Sequence, residues 1–229
     1  MIYEEKIRLP FPDNECVQGI LAYPEKVTDK RAVLLCSPHP HFAGNMDNNV
    51  ICALYEFISE KGLPVLRFNY RGVGESELNL PDTVSLFNYW EEVEEKKLYT
   101  KPIEDTLACL DYLAHVDKGL KISLIGYSFG EIMVMLAGKS CPDIKQITLV
   151  APPLSEYDFS LLSSLVNMNI FVIGSEGDFV YDRAKFLPFC QNIKTINDYE
   201  FFEDCDHFFL QKEEKLVHKI WNFMNRSMK

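Results

Sequence analysis

Apolar and polar positions along the chain fall into two alternating kinds of stretch. Short, nearly continuous apolar runs at 32–36, 65–70, 122–126, 147–151 and 170–174, with a further one at 199–202, are bounded by Gly, Pro or polar residues. This is the pattern of strands buried on both faces of a sheet. Between them, stretches at 49–61, 101–115, 129–139, 182–192 and 212–224 have helical period, with Leu107, Leu110 and Ala114 marking one buried face. Strand followed by helix, repeated, predicts βαβ units around a mostly parallel sheet with helices on both faces. Two earlier runs, 3–9 and 17–23, interleave charged with apolar residues and predict an antiparallel edge. The total is roughly eight strands in an α/β architecture.

One stretch breaks the rhythm. Residues 78–100 hold Leu86, Phe87, Tyr89 and Trp90 followed by Glu91, Glu92, Glu94 and Glu95, and lie between a strand and its helix. Two readings stand side by side: an insertion that partly covers a site, or a surface helix whose aromatic side docks on the body. The 229 residues, 47% of them hydrophobic, supply one large core, so residues 1–229 are expected to form a single domain.

Charge narrows the function classes. With 23 Lys+Arg against 34 Asp+Glu the net charge is −11, which argues against phosphate contacts supplying affinity for nucleic acid. No apolar run approaches the roughly 20 residues of a spanning helix, and the start Met1-Ile2-Tyr3-Glu4-Glu5-Lys6 lacks the basic flank and apolar stretch of an export signal. A cytoplasmic protein without membrane insertion is expected. The seven cysteines are scattered and never form a CxxC pair, the usage of reduced buried thiols.

The sharpest chemical signal is Gly126-Tyr127-Ser128-Phe129-Gly130, directly after one apolar run and directly before a helical one. In that context GxSxG places a serine on a strained strand-to-helix turn that exposes its hydroxyl, with the glycines letting the turn close. The bland alternative is close strand-to-helix packing with Ser128 as a helix cap. A serine hydroxyl is a weak nucleophile near neutral pH, so the first reading requires a base and a group to orient it. Of the five histidines, His115 and His218 fall in helical runs and His39 and His41 in the loop after the 32–36 strand. His207 follows a late strand, on the loop where a parallel sheet delivers side chains to the carboxyl ends of its strands. Asp178, after Gly174-Ser175-Glu176-Gly177, is the best orienting acid, with Glu176 a near competitor and Asp206 disfavoured by its adjacency to His207. Asp178 is alternatively a turn or helix-cap residue. The order Ser, Asp, His is that of the α/β-hydrolase architecture.

An oxyanion also needs backbone donors. Phe129 offers its N–H at a helix start, where the dipole favours negative charge. The second donor is expected from Ser37-Pro38-His39-Pro40-His41-Phe42-Ala43-Gly44-Asn45-Met46-Asp47-Asn48-Asn49, where the prolines have no N–H and position favours His41. Asp47 or Asn48 then caps the next helix. His39 and His41 as metal ligands are a weak alternative, because no third ligand stands at matching spacing.

The sequence resembles small members of the α/β-hydrolase superfamily: the bacterial predicted hydrolases with an HPHP-type loop and the dienelactone-hydrolase-like and serine-aminopeptidase-like proteins. The resemblance runs from about Ala32 onward and rests on Ser37–Pro40 with Gly44–Asn48, on Phe68-Asn69-Tyr70-Arg71-Gly72-Val73-Gly74-Glu75-Ser76, on Gly126–Gly130, on Gly174–Asp178 and on Asp206–Phe209. It implies an α/β-hydrolase fold, with Ser128 as nucleophile, Asp178 as acid, His207 as base and the amides of His41 and Phe129 as oxyanion hole. The chain departs from the pattern at Ser37, which stands for the first His, at Ala43-Gly44, which stands for a glycine pair, and in the long 78–100 connection.

The stretch between Ala151 and Ile170 is too short for a large cap domain. Arg71, Gly72 and Gly74 read as loop architecture. The expectation is thus a serine hydrolase of the carboxylesterase type, cleaving an ester bond through an acyl-enzyme on Ser128 and using no metal or organic cofactor. Its partner is a small-molecule acyl substrate, with Phe42, Phe179 and Phe208 expected to line the pocket. Thioesterase or aminopeptidase-like activity, and a non-catalytic interaction protein on the same fold, are the alternatives; a homo-oligomer is compatible with the sequence.

Overall fold

The computed structural model describes residues 1–181 and 183–226 of the chain. Its centre is one eight-stranded sheet in the order β1-β2-β4-β3-β5-β6-β7-β8. The first two strands, β1 (Ile2–Pro10) and β2 (Cys16–Pro24), pair antiparallel with each other, and β2 pairs antiparallel with β4 (Val65–Asn69). From β4 on, every pairing is parallel: β3 (Arg31–Cys36), β5 (Lys121–Tyr127), β6 (Gln146–Val150), β7 (Asn169–Gly177) and β8 (Ile196–Asp206). The sheet is therefore mixed, with the antiparallel edge where charged residues interrupt the apolar pattern.

Helices cover both faces because the central strands are apolar on both. Against one face, α1 (Asn49–Glu60) and α6 (Glu213–Arg226) bury Leu54, Ile58, Leu216 and Phe223 over Val33, Ile125 and Ile173. Against the other, α3 (Thr100–Ala114), α4 (Gly130–Ser140) and α5 (Arg183–Asn192) bury Leu110, Met133 and Phe186 over Leu34, Leu124 and Val172. Alternation along each strand decides which side chain goes to which layer. The α1 start is capped by Asn48, whose side chain accepts from the Val50 N–H at 2.9 Å. The α5 start, expected at Asp182, lies outside the described residues.

Residues 83–96 form a further helix, α2 (Thr83–Lys96), opened by the Asp82 side chain accepting from the Ser85 N–H at 2.7 Å. Its Glu91, Glu92 and Glu95 face outward, Glu94 is half-buried, and Trp90 and Val93 are buried in the layer that holds α4. Arg71, read from the sequence as loop architecture, ties mostly carboxylates: it donates to Asp105, Glu15 and Glu104, and to the Lys101 C=O. The seven cysteines are free thiols. Among the described residues, no helix is long and apolar enough to cross a membrane.

Candidate active site

The site lies at the carboxyl ends of the central strands. At the end of β5 the chain reverses through Ser128, which adopts a left-handed conformation (φ 54°), and enters α4 at Gly130. That conformation costs a non-glycine residue about 1–2 kcal/mol and is held by what surrounds it. The Ser128 N–H donates to the Val150 C=O at 2.9 Å and the Ser128 C=O accepts from the Glu131 N–H at 3.0 Å. Both glycines of the motif are sterically required. A Cβ on Gly126 would strike the Gly130 carbonyl and the Glu131 nitrogen, and one on Gly130 would strike the Cys36 carbonyl. The second contact presses the loop after β3 directly onto the elbow.

β7 and β8 bring the other two candidates together by register. Gly177 pairs with Asp206, so residues 178 and 207 leave adjacent strand ends side by side. Asp178 Oδ2 accepts from His207 Nδ1 at 2.8 Å, with both side chains buried, while Asp178 Oδ1 accepts from the Val180 N–H at 2.9 Å. One carboxylate thus acts as turn residue and histidine partner at once. The bond assigns the Nδ1–H tautomer to His207 and leaves Nε2 with a lone pair. Tyr127, the neighbour of Ser128, donates its hydroxyl to the His207 C=O at 3.0 Å and lies 5.7 Å from the imidazole, ring to ring. Among the described residues the Ser128 hydroxyl makes no hydrogen bond to His207; nucleophile–base bonds commonly close only around bound substrate. The competitors are committed elsewhere: Glu176 accepts from the Asp204 N–H, and Asp206 Oδ1 from the Phe208 and Leu210 N–H groups.

The two expected oxyanion donors differ. The Phe129 N–H, at the start of α4, has no partner among the described residues. The His41 N–H does: it donates to His39 Nδ1 at 3.0 Å, because Pro40 opens a short 3₁₀ turn over 40–42 and the His39 side chain caps it. In this loop the His39 N–H is without a partner among the described residues, and its residue abuts the elbow, the imidazole lying 4.6 Å from the Phe129 ring. Sequence position alone missed this, since a histidine capping a backbone turn leaves no apolar pattern.

Phe42 and Phe179 are 75% and 71% exposed and Phe208 is partly exposed, all at the rim. Phe179 lies 4.8 Å and Phe208 5.6 Å from the His207 ring, and Phe42 5.3 Å from His41, ring to ring. Phe87 of α2 packs 4.3 Å from His41, and α2 forms one wall of a groove of about 310 Å³ whose other wall is the 40–45 loop.

Two further buried groups lie here: Glu131, which the sequence does not single out, and His39, which it offers only as a weak metal-ligand alternative. Glu131, in the first turn of α4, is fully buried with neither carboxyl oxygen hydrogen-bonded. Burial pushes its carboxyl well above the usual carboxylate range, and the charge of Asp178 pushes the same way, both favouring the neutral acid. His39 is also buried, and desolvation pushes its imidazole down to about 4 although Glu94 pulls it up. His115 is exposed on its helix and His218 stands 4.9 Å from the Phe57 ring, both remote from this constellation.

Comparison with known proteins adds the following. No protein-family model matches the chain. An uncharacterized protein of Rickettsia prowazekii is 29% identical over 200 residues, 83% of this chain and 77% of the relative. Among solved structures, one from Agrobacterium tumefaciens, of unknown function and proposed to be an alpha/beta hydrolase, superposes with a TM-score of 0.80 at 20% identity, over 98% of this chain and 96% of that one. An α/β serine hydrolase without lid from Xanthomonas campestris gives 0.78 at 20% identity over 97% and 94%. An esterase from Pyrococcus furiosus gives 0.72 at 16% identity over 98% and 93%.

Proposed function

Since the chain has an α/β-hydrolase fold, we propose that it is a serine hydrolase acting on carboxylic esters, with Ser128 as nucleophile, His207 as general base and Asp178 as its orienting acid. The observation that carries this reading is the 2.8 Å bond between Asp178 Oδ2 and buried His207 Nδ1, set beside a serine held left-handed at a strand-to-helix elbow. A structural histidine needs no such elbow, and a structural elbow needs no such dyad.

The chemistry follows from the assigned tautomer. His207 Nε2 takes the Ser128 proton as Oγ attacks the ester carbonyl carbon; the imidazolium formed is stabilised by the Asp178 carboxylate through Nδ1–H. The carbonyl oxygen becomes an oxyanion, for which the Phe129 and His39 amides are the open donors. Collapse breaks the bond to the alcohol oxygen, which leaves with the proton from Nε2. Water, activated by the same imidazole, then releases the acid and restores Ser128. Thioesters and amides pass through the same tetrahedral geometry. The ester reading is favoured by an exposed aromatic rim suited to apolar acyl or aryl groups, and by the esterase among the fold's neighbours.

The test is turnover of a panel of aryl and alkyl esters, acyl thioesters and aminoacyl amides by the wild type and by Ser128→Ala. Ester turnover that vanishes in a folded Ser128→Ala variant supports the reading; retention of most of it removes Ser128 from the mechanism.

A further inference from the structure

Resting on the serine-hydrolase reading, we propose that Glu94 of α2 is a positioning residue for the reaction: through His39 it fixes the loop that carries the second oxyanion donor. The imidazole of His39 is 3% exposed and packed 4.6 Å from the Phe129 ring and 5.5 Å from the Trp90 ring, so elbow, loop and α2 form one unit. Its Nδ1 accepts from the His41 N–H at 3.0 Å and therefore bears a lone pair. A neutral imidazole then carries its hydrogen on Nε2, and Nε2 is buried without a hydrogen bond.

The group facing that hydrogen is Glu94, whose Oε2 lies 3.5 Å from Nε2, one small side-chain adjustment from a bond. Glu94 is itself braced: Tyr157, on the loop after β6, donates its hydroxyl to Oε2 at 2.6 Å, and Lys97 donates to Oε1 at 2.8 Å. The charged and titratable groups around His39 are thus Glu94 and Lys97 from α2, His41 from its own loop and, behind Glu94, Tyr157. The arrangement parallels Asp178 and His207: a carboxylate selects which nitrogen of an imidazole holds the proton. Here the other nitrogen, Nδ1, left with its lone pair, holds a backbone turn rather than serving a serine. Without Glu94 the Nε2–H is buried with no acceptor nearby, the competing tautomer turns an N–H toward the His41 N–H, and the 40–42 turn loosens. The His39 C=O, which accepts from Phe42 and Gly44, and the His39 N–H move with it.

The test is steady-state ester hydrolysis by the full chain, with thermal melting of each variant. Glu94→Ala is expected to lower kcat about tenfold or more, short of the loss from deleting a donor outright, while KM stays within about twofold. Glu94→Gln, whose amide oxygen accepts from Nε2–H, is expected to recover most of kcat, and Tyr157→Phe to lower kcat by a smaller factor. Should Glu94→Ala fail to fold, Tyr157→Phe and Glu94→Gln decide. Wild-type kcat in folded Glu94→Ala or Tyr157→Phe, a loss confined to KM, or no recovery by Gln overturns the proposal. Ser128→Ala separates the two levels: if it stays active the hydrolase reading fails, and if it is inert while Glu94→Ala turns over normally only the role of Glu94 fails.

Discussion

Asp178 shows how much a single carboxylate can be asked to do. One oxygen closes the turn after β7 through the Val180 N–H and the other holds His207. Asp178→Asn keeps the turn and loses the charge that stabilises the imidazolium, so it is expected to melt near the wild type while kcat falls roughly 10³–10⁴-fold; near-wild-type turnover would leave Asp178 a turn residue only. Glu131 makes the opposite case. Its folded-state pKa is raised, so above the unfolded value the unfolded chain releases a proton that the folded chain keeps, and stability falls as pH rises from about 4.5 toward that raised pKa. Glu131→Gln removes the titration and is expected to melt higher than the wild type at pH 8, with the gap narrowing toward pH 4; parallel melting curves across that range would contradict a neutral buried acid. Ser128, Asp178 and His207 were legible because each follows an apolar strand run. The unpartnered His39 N–H, our proposed second oxyanion donor, and Glu131 were not, since one depends on where a ring points and the other sits inside an unbroken helical pattern.

Among the elements, the elbow is the most tightly specified. Its two glycines are forced by facing backbone, Gly126 by the Gly130 carbonyl across the turn and Gly130 by the Cys36 carbonyl at the end of β3, a constraint visible in the sequence as GxSxG next to a strand. Gly126→Ala, with its added methyl against the Gly130 carbonyl, is expected to cost about 1–3 kcal/mol, lowering Tm by roughly 3–10 °C and turnover with it; differential scanning fluorimetry that finds no shift would mean the turn relaxes freely. Strand β8 runs over Ile196–Asp206, well beyond the 199–202 run that marked it. As the edge strand it exposes Asn197, Tyr199, Glu203 and Asp204 and carries no continuous apolar signal. α2 was legible as amphipathic aromatic sequence but not in its placement, because what seats it, Trp90 against His39 and Phe129, is a contact between residues far apart in the chain.

At the scale of the whole molecule, two apolar layers on either side of one sheet hold a polar site at the sheet's carboxyl edge, and that much followed from strand–helix alternation. What alternation does not reveal is that the site includes a buried neutral histidine. His39 has a folded pKa near 4 against an unfolded value near 6.5. Between those values the unfolded chain binds a proton that the folded chain refuses, so His39 contributes stability at neutral pH that is lost as pH falls from about 6.5 to 4. His39→Asn is expected to show a flatter fall in Tm over that window than the wild type; an equal slope would place His39 in contact with solvent.

The most direct measurement is intact-mass spectrometry of the folded protein after exposure to a fluorophosphonate, which a serine activated by a histidine attacks and an ordinary serine does not. One adduct per chain is expected, mapping to Ser128, absent from Ser128→Ala and formed far more slowly by His207→Ala. Folded protein that stays unmodified, or an adduct that maps elsewhere and survives Ser128→Ala, would contradict a hydrolase built on Ser128, His207 and Asp178.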